Sequence, residues 1–423
     1  MTFLQGTRRN FLQTTGSAAV GLALGAQALP GRASTAANER LSVGFVGAGM
    51  RGTELMKVAA SICQKFPADL TAVCDLWSYH RQRGVDQVKE LTGREPRQFQ
   101  HLEEMLAWSG LDAVVIATPD HAHAIHLTQC VQAGKHVYCE KPFANVLQEA
   151  NDAVDAWRNS RCVATVGTQF RSDPRYRAAA ELVRTGVLGP IVKVDRTFNA
   201  HSPYRWRRPA EIKLLKEADT DWKAWLLNKP DRAFDPQTYL EFRLMPEFSS
   251  GVIDQWMSHG IDGVHMLTGA ALPRSVVAHG GNYGWKDGRA NGDTAHVLLD
   301  YPEGFLCSHT TSLVNGFGGR GGVVMGRDAA LEFHTNWRLS GEGGALARTL
   351  PTRLISEEGS VGDGDPVLHM RNWLECVQQG EQQTHCTPAD SYPAAVACIM
   401  ATQALHSGRR VQFDQATRTI RFG

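Results

Sequence analysis

The chain has 423 residues, too many for one ordinary hydrophobic core and suited to two domains. Its composition is that of a globular protein, with 43% hydrophobic and 21% charged residues, and 44 Lys plus Arg nearly cancel 43 Asp plus Glu. That balance gives no footing for a nucleic-acid or anionic-membrane partner and leaves a small molecule as the expected ligand.

Residues 1–35 read as a segment outside the fold. Thr7-Arg8-Arg9-Asn10-Phe11-Leu12 precedes a weakly apolar Gly/Ala/Leu run from Gly16 to Leu29. This resembles a twin-arginine export signal, with small residues at Ala26 and Ala28 where a peptidase can cut. The run is too short and glycine-rich to span a bilayer well, so the mature protein is expected to carry no membrane span. The route exports folded proteins, which suits an enzyme that loads its cofactor in the cell and works in the periplasm or another extracytoplasmic space. The nine Cys lack any CxxC or zinc spacing. Most lie in apolar runs such as Leu70–Cys74 and His136–Cys139, and they read as buried free thiols rather than metal ligands.

From Leu41 short β-branched runs alternate with longer helical stretches. Strands are predicted at Leu41–Val46, Leu70–Cys74, Ala113–Ile116, His136–Cys139 and Val163–Gly167. Helices are predicted between them at Thr53–Phe66, Tyr79–Thr92, Ala122–Ala133 and Leu147–Arg158. This spacing predicts a parallel sheet covered on both faces over residues 40–167, with ligands at the carboxyl ends of its strands.

From Thr168 the rhythm changes, and residues 168–423 read as a second, substrate-binding domain. A helix at Tyr176–Thr185 and a strand at Ile191–Phe198 lead into a Trp- and Arg-rich irregular stretch from His201 to Arg243. Strands at Ser275–His279, His296–Tyr301, Phe305–Leu313 and Ala330–Phe333 follow without helices between them. Tyr301-Pro302-Glu303-Gly304 reads as a tight hairpin turn, and Gly318–Gly322 as a low-complexity glycine run. The result is a mostly antiparallel sheet, open on one face. Helices near Val367–Gln378 and Tyr392–Leu405 close the chain and are free to pack back on the first domain.

Gly47-Ala48-Gly49-Met50-Arg51-Gly52 places a GxGxxG between a buried strand and a helix. Gly47 permits the tight turn, Gly49 a close approach of the backbone to a pyrophosphate, and Gly52 the packing of helix on strand. The amides of Met50 and Arg51 then face phosphate charge. The motif alone is a weak signal. Asp75, at the end of the second strand, strengthens it, since an acid there accepts hydrogen bonds from ribose hydroxyls and favours NAD. Arg81 and Arg83 lie close by, which keeps NADP open.

Two further runs are specific: Ala117-Thr118-Pro119-Asp120-His121-Ala122-His123, and Gly134-Lys135-His136-Val137-Tyr138-Cys139-Glu140-Lys141-Pro142. With Gly167-Thr168-Gln169, Gly189-Pro190-Ile191 and Gly251–Gly269, they resemble the glucose–fructose oxidoreductase and inositol dehydrogenase family, Gfo/Idh/MocA, in its twin-arginine branch. The resemblance implies an α/β fold, with an N-terminal doubly wound Rossmann domain and a C-terminal α+β domain bearing a large open-faced sheet. It also implies homo-oligomers formed through that sheet and NAD(P)-linked chemistry on sugars, inositols or related polyols; export after folding implies that the cofactor is tightly held. Thr118, Pro119, Asp120, His123, Glu140, Lys141 and Gln169 match or adjoin its cofactor-contacting positions. The lysine matching Lys141 polarises the substrate oxygen, a task that suits a cation just past a strand end.

In that family an Asp, three residues and a His form the second catalytic element. Here Asp254 stands five residues before His259, and Gln255 occupies the i−4 position. On an ideal helix Asp254 and His259 point about 140° apart. Asp254 can orient His259 only from the turn before the helix, and Asp262 is the rival carboxylate. His259 itself is the expected general acid–base. Arg171, Tyr204, Arg205, Trp206 and Tyr283 are candidates for a carbohydrate pocket, in which aromatic faces pack on C–H surfaces.

The leading function is hydride transfer between nicotinamide and a secondary hydroxyl of a sugar, cyclitol or polyol. An NAD-dependent glycosidase that oxidises its sugar transiently is the second reading. A cofactor-retaining sugar-binding protein is the third.

Overall fold

Six strands of the first half form one parallel sheet whose central strands are buried on both faces; all four residues of Ala113–Ile116 are buried. The strands are β1 (Leu41–Val46), β2 (Ala68–Cys74), β3 (Arg97–Phe99), β4 (Ala113–Ile116), β5 (His136–Cys139) and β6 (Ala164–Val166). Their order is β3-β2-β1-β4-β5-β6, which reverses direction between β1 and β4 and opens the ligand crevice there. The computed structural model describes residues 40–334, 337–342, 353–354 and 364–423, so the export-signal reading of residues 1–35 lies outside them. Strand β3 and the helix Leu102–Ala107 were not predicted. β3 has three residues, two of them exposed, and so carries no apolar period.

The second sheet has ten strands: β7 (Ile191–Asn199), β8 (Ser275–Gly281), β9 (Thr294–Asp300), β10 (Leu306–Ser312), β11 (Arg320–Gly326), β12 (Ala329–Phe333), β13 (Arg338–Gly341), β14 (Arg353–Leu354), β15 (Val411–Asp414) and β16 (Thr419–Phe422). All neighbours pair antiparallel except β7 and β10. The predicted hairpin joins β9 to β10, with Gly304 at φ +93° donating its amide to the Tyr301 carbonyl at 3.1 Å. The glycine run that read as low complexity instead opens β11. At Gly322 a Cβ would meet the Phe333 ring at 2.3 Å, so close sheet packing requires glycine there.

Helices Ser258–Thr268 and Pro388–Ser407 cover one face of this sheet. The opposite face leaves Val277, Leu298 and Leu306 exposed. The helix Pro366–Gln379 packs back on the first sheet, where Met370, Trp373 and Leu374 join one apolar cluster with Phe45, Leu55 and Met56.

The Trp- and Arg-rich stretch is less irregular than its sequence suggests. It holds short helices at Pro209–Ile212, Trp222–Leu226 and Pro236–Glu241. Asp221 and Asp235 start the last two by accepting backbone amides, the capping that short polar side chains supply. Trp222, Trp225, Tyr239 and Phe248 form an aromatic cluster with Trp77 of the first domain. The nine cysteines are free thiols, and all but Cys63 are buried. No helix among the described residues is long and apolar enough to cross a membrane.

Candidate active site

The dinucleotide turn sits at the carboxyl end of β1, and its three glycines serve different ends. Gly47 has φ +86°, and a Cβ there would meet the Ala117 carbonyl at 2.6 Å. At Gly52 a Cβ would meet the Gly47 carbonyl oxygen at 1.9 Å, so the helix Met50–Cys63 could not pack on its strand. Gly49 differs: a Cβ there approaches no protein atom closer than 3.8 Å, at His80. The fold itself does not demand glycine at this position, and a ligand pressed against the backbone does. This open cradle at a helix N-terminus fits a cofactor pyrophosphate.

The cleft in front of the turn is lined by Gly47, Gly49, Met50, Arg51, Asp75, Thr118 and Pro119 on the Rossmann side. The opposite wall is the Trp- and Arg-rich stretch, through Trp206, Arg208, Trp225, Tyr239 and Arg243. Asp75 accepts the Ala48 amide at 2.7 Å and the Trp77 amide at 2.9 Å, which ties the strand end to the glycine turn. Arg81 and Arg83 turn their guanidinium groups onto the Asp75 and Ala48 carbonyls at 2.6 and 3.1 Å. His80, not singled out in the sequence, faces both Asp75 and Gly49.

The cleft continues into a second cavity lined by Thr118, Glu140, Lys141, Gln169, Phe198, Tyr204, Arg205, Trp206, Gln255, Trp256, His259 and Arg320. Glu140 is buried and accepts Arg51 at 2.7 and 2.9 Å. Burial pushes its carboxyl up, but Arg51 outweighs that and holds it ionised. Burial, reinforced by Arg243, lowers the Lys141 ammonium to about 8. Lys141 donates from Nζ to the side-chain and backbone oxygens of Gln255, both at 3.0 Å.

His259 lines this cavity on the helix Ser258–Thr268, beside the Phe170 ring. Burial first, then the cations Lys141, Arg51, Arg196 and Arg320, hold its pKa well below the usual range. It is therefore neutral at pH 7. Its Nδ1 is buried with no partner.

The sequence spacing around His259 has a structural explanation. Residues Ile253–Met257 form a π-turn, in which the Ser258 amide donates to the Ile253 carbonyl five residues back. Such a turn absorbs one extra residue without ending the helix. Asp254 is thus inside the helical run rather than before it.

Neither carboxylate proposed for His259 bonds to it. Asp254 accepts the Ser250 amide at 2.6 Å, and its other oxygen is buried without a partner. Burial and the Asp120 charge raise its carboxyl to about 7. Buried Asp262 holds the half-buried Arg171 at 2.9 and 3.0 Å, and Arg171 also donates to the Asp390 carbonyl at 3.1 Å. That pair takes both residues out of the cavity, since each satisfies the charge of the other beneath the helix. Tyr283 also lies outside the cavity; its amide donates to Asp293 while its ring stays 60% exposed.

Asp120 sits under the cofactor loop rather than against the cleft, whereas His123, although buried, lines the second cavity. Asp120 is 1% exposed and takes Arg243 at 3.0 Å, Ser249 at 2.7 Å and Gln255 at 2.7 Å. The two ring nitrogens of His123 face the Pro142 and Thr118 carbonyls at 2.7 and 2.8 Å, stapling the two strand-end loops together. Arg208, Trp225, Arg243, Trp256 and Arg320 were missed as site residues. Their density of Trp and Arg was the only signal available.

Comparison with known proteins agrees with this geometry. Residues 41–168 match the oxidoreductase family with an NAD-binding Rossmann fold, and residues 228–347 match the GFO/IDH/MocA C-terminal domain, between them more than half of the chain. Inositol 2-dehydrogenase of Salmonella typhimurium (strain LT2) is 25% identical over 191 residues, 45% of this chain and 55% of that protein. The chain thus spans about half the length of that relative. A glycosyl hydrolase family 109 protein of Shewanella baltica (strain OS185) is 23% identical over 399 residues, 87% of this chain and 79% of that one. Levoglucosan dehydrogenase, solved with NADH and levoglucosan, superposes with a TM-score of 0.67 at 16% identity, over 88% of this chain and 99% of the other. At that identity the likeness shows the fold alone. Matched in both of its domains, the chain belongs to the Gfo/Idh/MocA family of oxidoreductases.

Proposed function

We propose that the protein is an NAD-dependent oxidoreductase that transfers hydride at a secondary hydroxyl of a sugar, cyclitol or related polyol. The observation that carries this reading is continuity: one cleft runs from the open cradle at Gly49 to Lys141 and His259. A bound nicotinamide supplies the hydride acceptor. Lys141 presents its ammonium to the substrate oxygen and stabilises the alkoxide that forms as hydride leaves carbon. Neutral His259 takes the hydroxyl proton. The stacked Phe198 and Trp256 rings, with centroids 4.4 Å apart, offer the apolar wall that sugar C–H faces prefer. Asp75 disfavours a ribose phosphate, and Arg81 and Arg83 are engaged with backbone carbonyls, so NAD is the favoured cofactor.

The long match to a glycosyl hydrolase family 109 protein favours one alternative, glycoside cleavage through transient sugar oxidation with the cofactor returned unchanged. Retention of Glu140-Lys141-Pro142 supports the dehydrogenase. The Arg8-Arg9 segment supports twin-arginine export to the periplasm, and exposed Val277, Leu298 and Leu306 support homo-oligomers through the open sheet. A screen of polyols, sugars and aryl glycosides on cofactor-loaded protein tests the function. Net reduction of NAD supports the dehydrogenase, glycoside cleavage without it supports the alternative, and neither would overturn both.

A further inference from the structure

The position four residues before His259 carries an amide where the family pattern has a carboxylate, and the structure gives that amide two charged partners. Gln255 Nε2 donates to Asp120 at 2.7 Å, while its Oε1 accepts Lys141 Nζ at 3.0 Å. The π-turn Ile253–Met257 also turns the Gln255 carbonyl onto the same ammonium at 3.0 Å. Only a group that is both donor and acceptor can bridge a carboxylate and an ammonium in this way. A carboxylate in its place would set a second acceptor 2.7 Å from Asp120. Arg243 and Ser249 hold the far side of Asp120, so the chain Arg243–Asp120–Gln255–Lys141 is anchored at its outer end.

We propose that Gln255 is a positioning residue for Lys141: its amide couples the lysine to the buried Asp120 and fixes the direction of the ammonium toward the reacting oxygen. The inference rests on the role given to Lys141 above, but not on the identity of the substrate. Besides Gln255, the groups facing Lys141 are Glu140 from the strand end, Arg51 from the helix Met50–Cys63, Asp120 from its loop, Arg243 from the roof, Asp254 and His259 from the helical run around Gln255, and Cys398 from the helix Pro388–Ser407. Loss of the Oε1 acceptor removes one hydrogen bond that favours the charged lysine, so Lys141 should lose its proton at lower pH.

The test needs no substrate. The pH dependence of Lys141 acylation by acetic anhydride is read by peptide mass spectrometry on the purified protein, Gln255→Met and Gln255→Glu. Cofactor occupancy and Tm check the fold. Expected is a midpoint roughly one pH unit lower in Gln255→Met, with Gln255→Glu at or above the unsubstituted protein because its carboxyl restores an acceptor. An unchanged midpoint in Gln255→Met, or a lowered one in Gln255→Glu, would overturn the proposal. Should Gln255→Met fail to fold, Gln255→Ala, which also removes the acceptor, is read by the same criterion. Absence of sugar turnover in every form would count against the proposed function and leave this result standing.

Discussion

The two walls of the site are built in different ways. The strand-end wall comes from contiguous turns: Gly47–Gly52 after β1, Thr118–Asp120 after β4, and Glu140–Lys141 after β5. Each of its residues follows a short apolar run, so sequence position alone fixes which residues face the crevice. The opposite wall draws on Trp206, Arg208, Trp225, Arg243, Gln255 and His259, which span three helical segments and the loops between them. Local period does not specify that wall. Tertiary contacts do, as where His121 and Trp225 pack with ring centroids 4.8 Å apart.

The sharpest way to break this comparison is to remove one group from each wall. Lys141→Ala and His259→Ala should each reduce turnover by about a hundredfold or more, with cofactor occupancy and Tm nearly unchanged. Because Lys141 acts as the cation, turnover of the unsubstituted protein should fall as pH rises through about 8. A pH–rate profile flat through that range would remove Lys141 from the chemical step.

A smaller effect separates site from scaffold. Asp262→Asn breaks the pair with Arg171 and should destabilise the fold by about 3 kcal/mol, read by denaturant unfolding. Turnover per folded molecule should stay close to that of the unsubstituted protein. A rate loss without a stability loss would return Asp262 to the catalytic role its spacing first suggested.

Asp254 should give a change in stability that depends on pH. Its carboxyl keeps its proton in the folded chain up to about 7, whereas the unfolded chain releases it near the ordinary value of about 4. Stability therefore falls as pH rises from about 4 to about 7, and Asp254→Asn removes that slope. The variant should gain in Tm over the unsubstituted protein as pH rises across that window, with the largest gain at pH 8. Equal melting temperatures at pH 8 and a larger gap at pH 4 would contradict the assignment.

These contrasts also show what the sequence made legible. Strands β1, β4 and β5, the need for glycine at Gly47 and Gly52, and the placement of Asp75 and Lys141 at strand ends were readable, because each depends on a few consecutive residues. The five-residue spacing from Asp254 to His259 was visible, but its meaning was not, since a π-turn forms only where surrounding packing holds it. The pairing of Arg171 with Asp262, 91 residues apart, leaves no local trace. The ends of the second sheet were equally hidden, with β13 to β16 only two to four residues long.

The central claim is that the cleft between the two walls holds a nicotinamide cofactor. Protein purified without added cofactor can be denatured and its released small molecules identified by mass spectrometry. Any remaining sites can be filled by titrating NADH against the fluorescence of Trp206 and Trp225, which line the cleft. The account predicts released NAD or NADH, saturable quenching by NADH, and loss of both in Gly49→Val, whose Tm should match that of the unsubstituted protein stripped of cofactor. Protein that is always empty and shows no quenching by NADH or NADPH would contradict it.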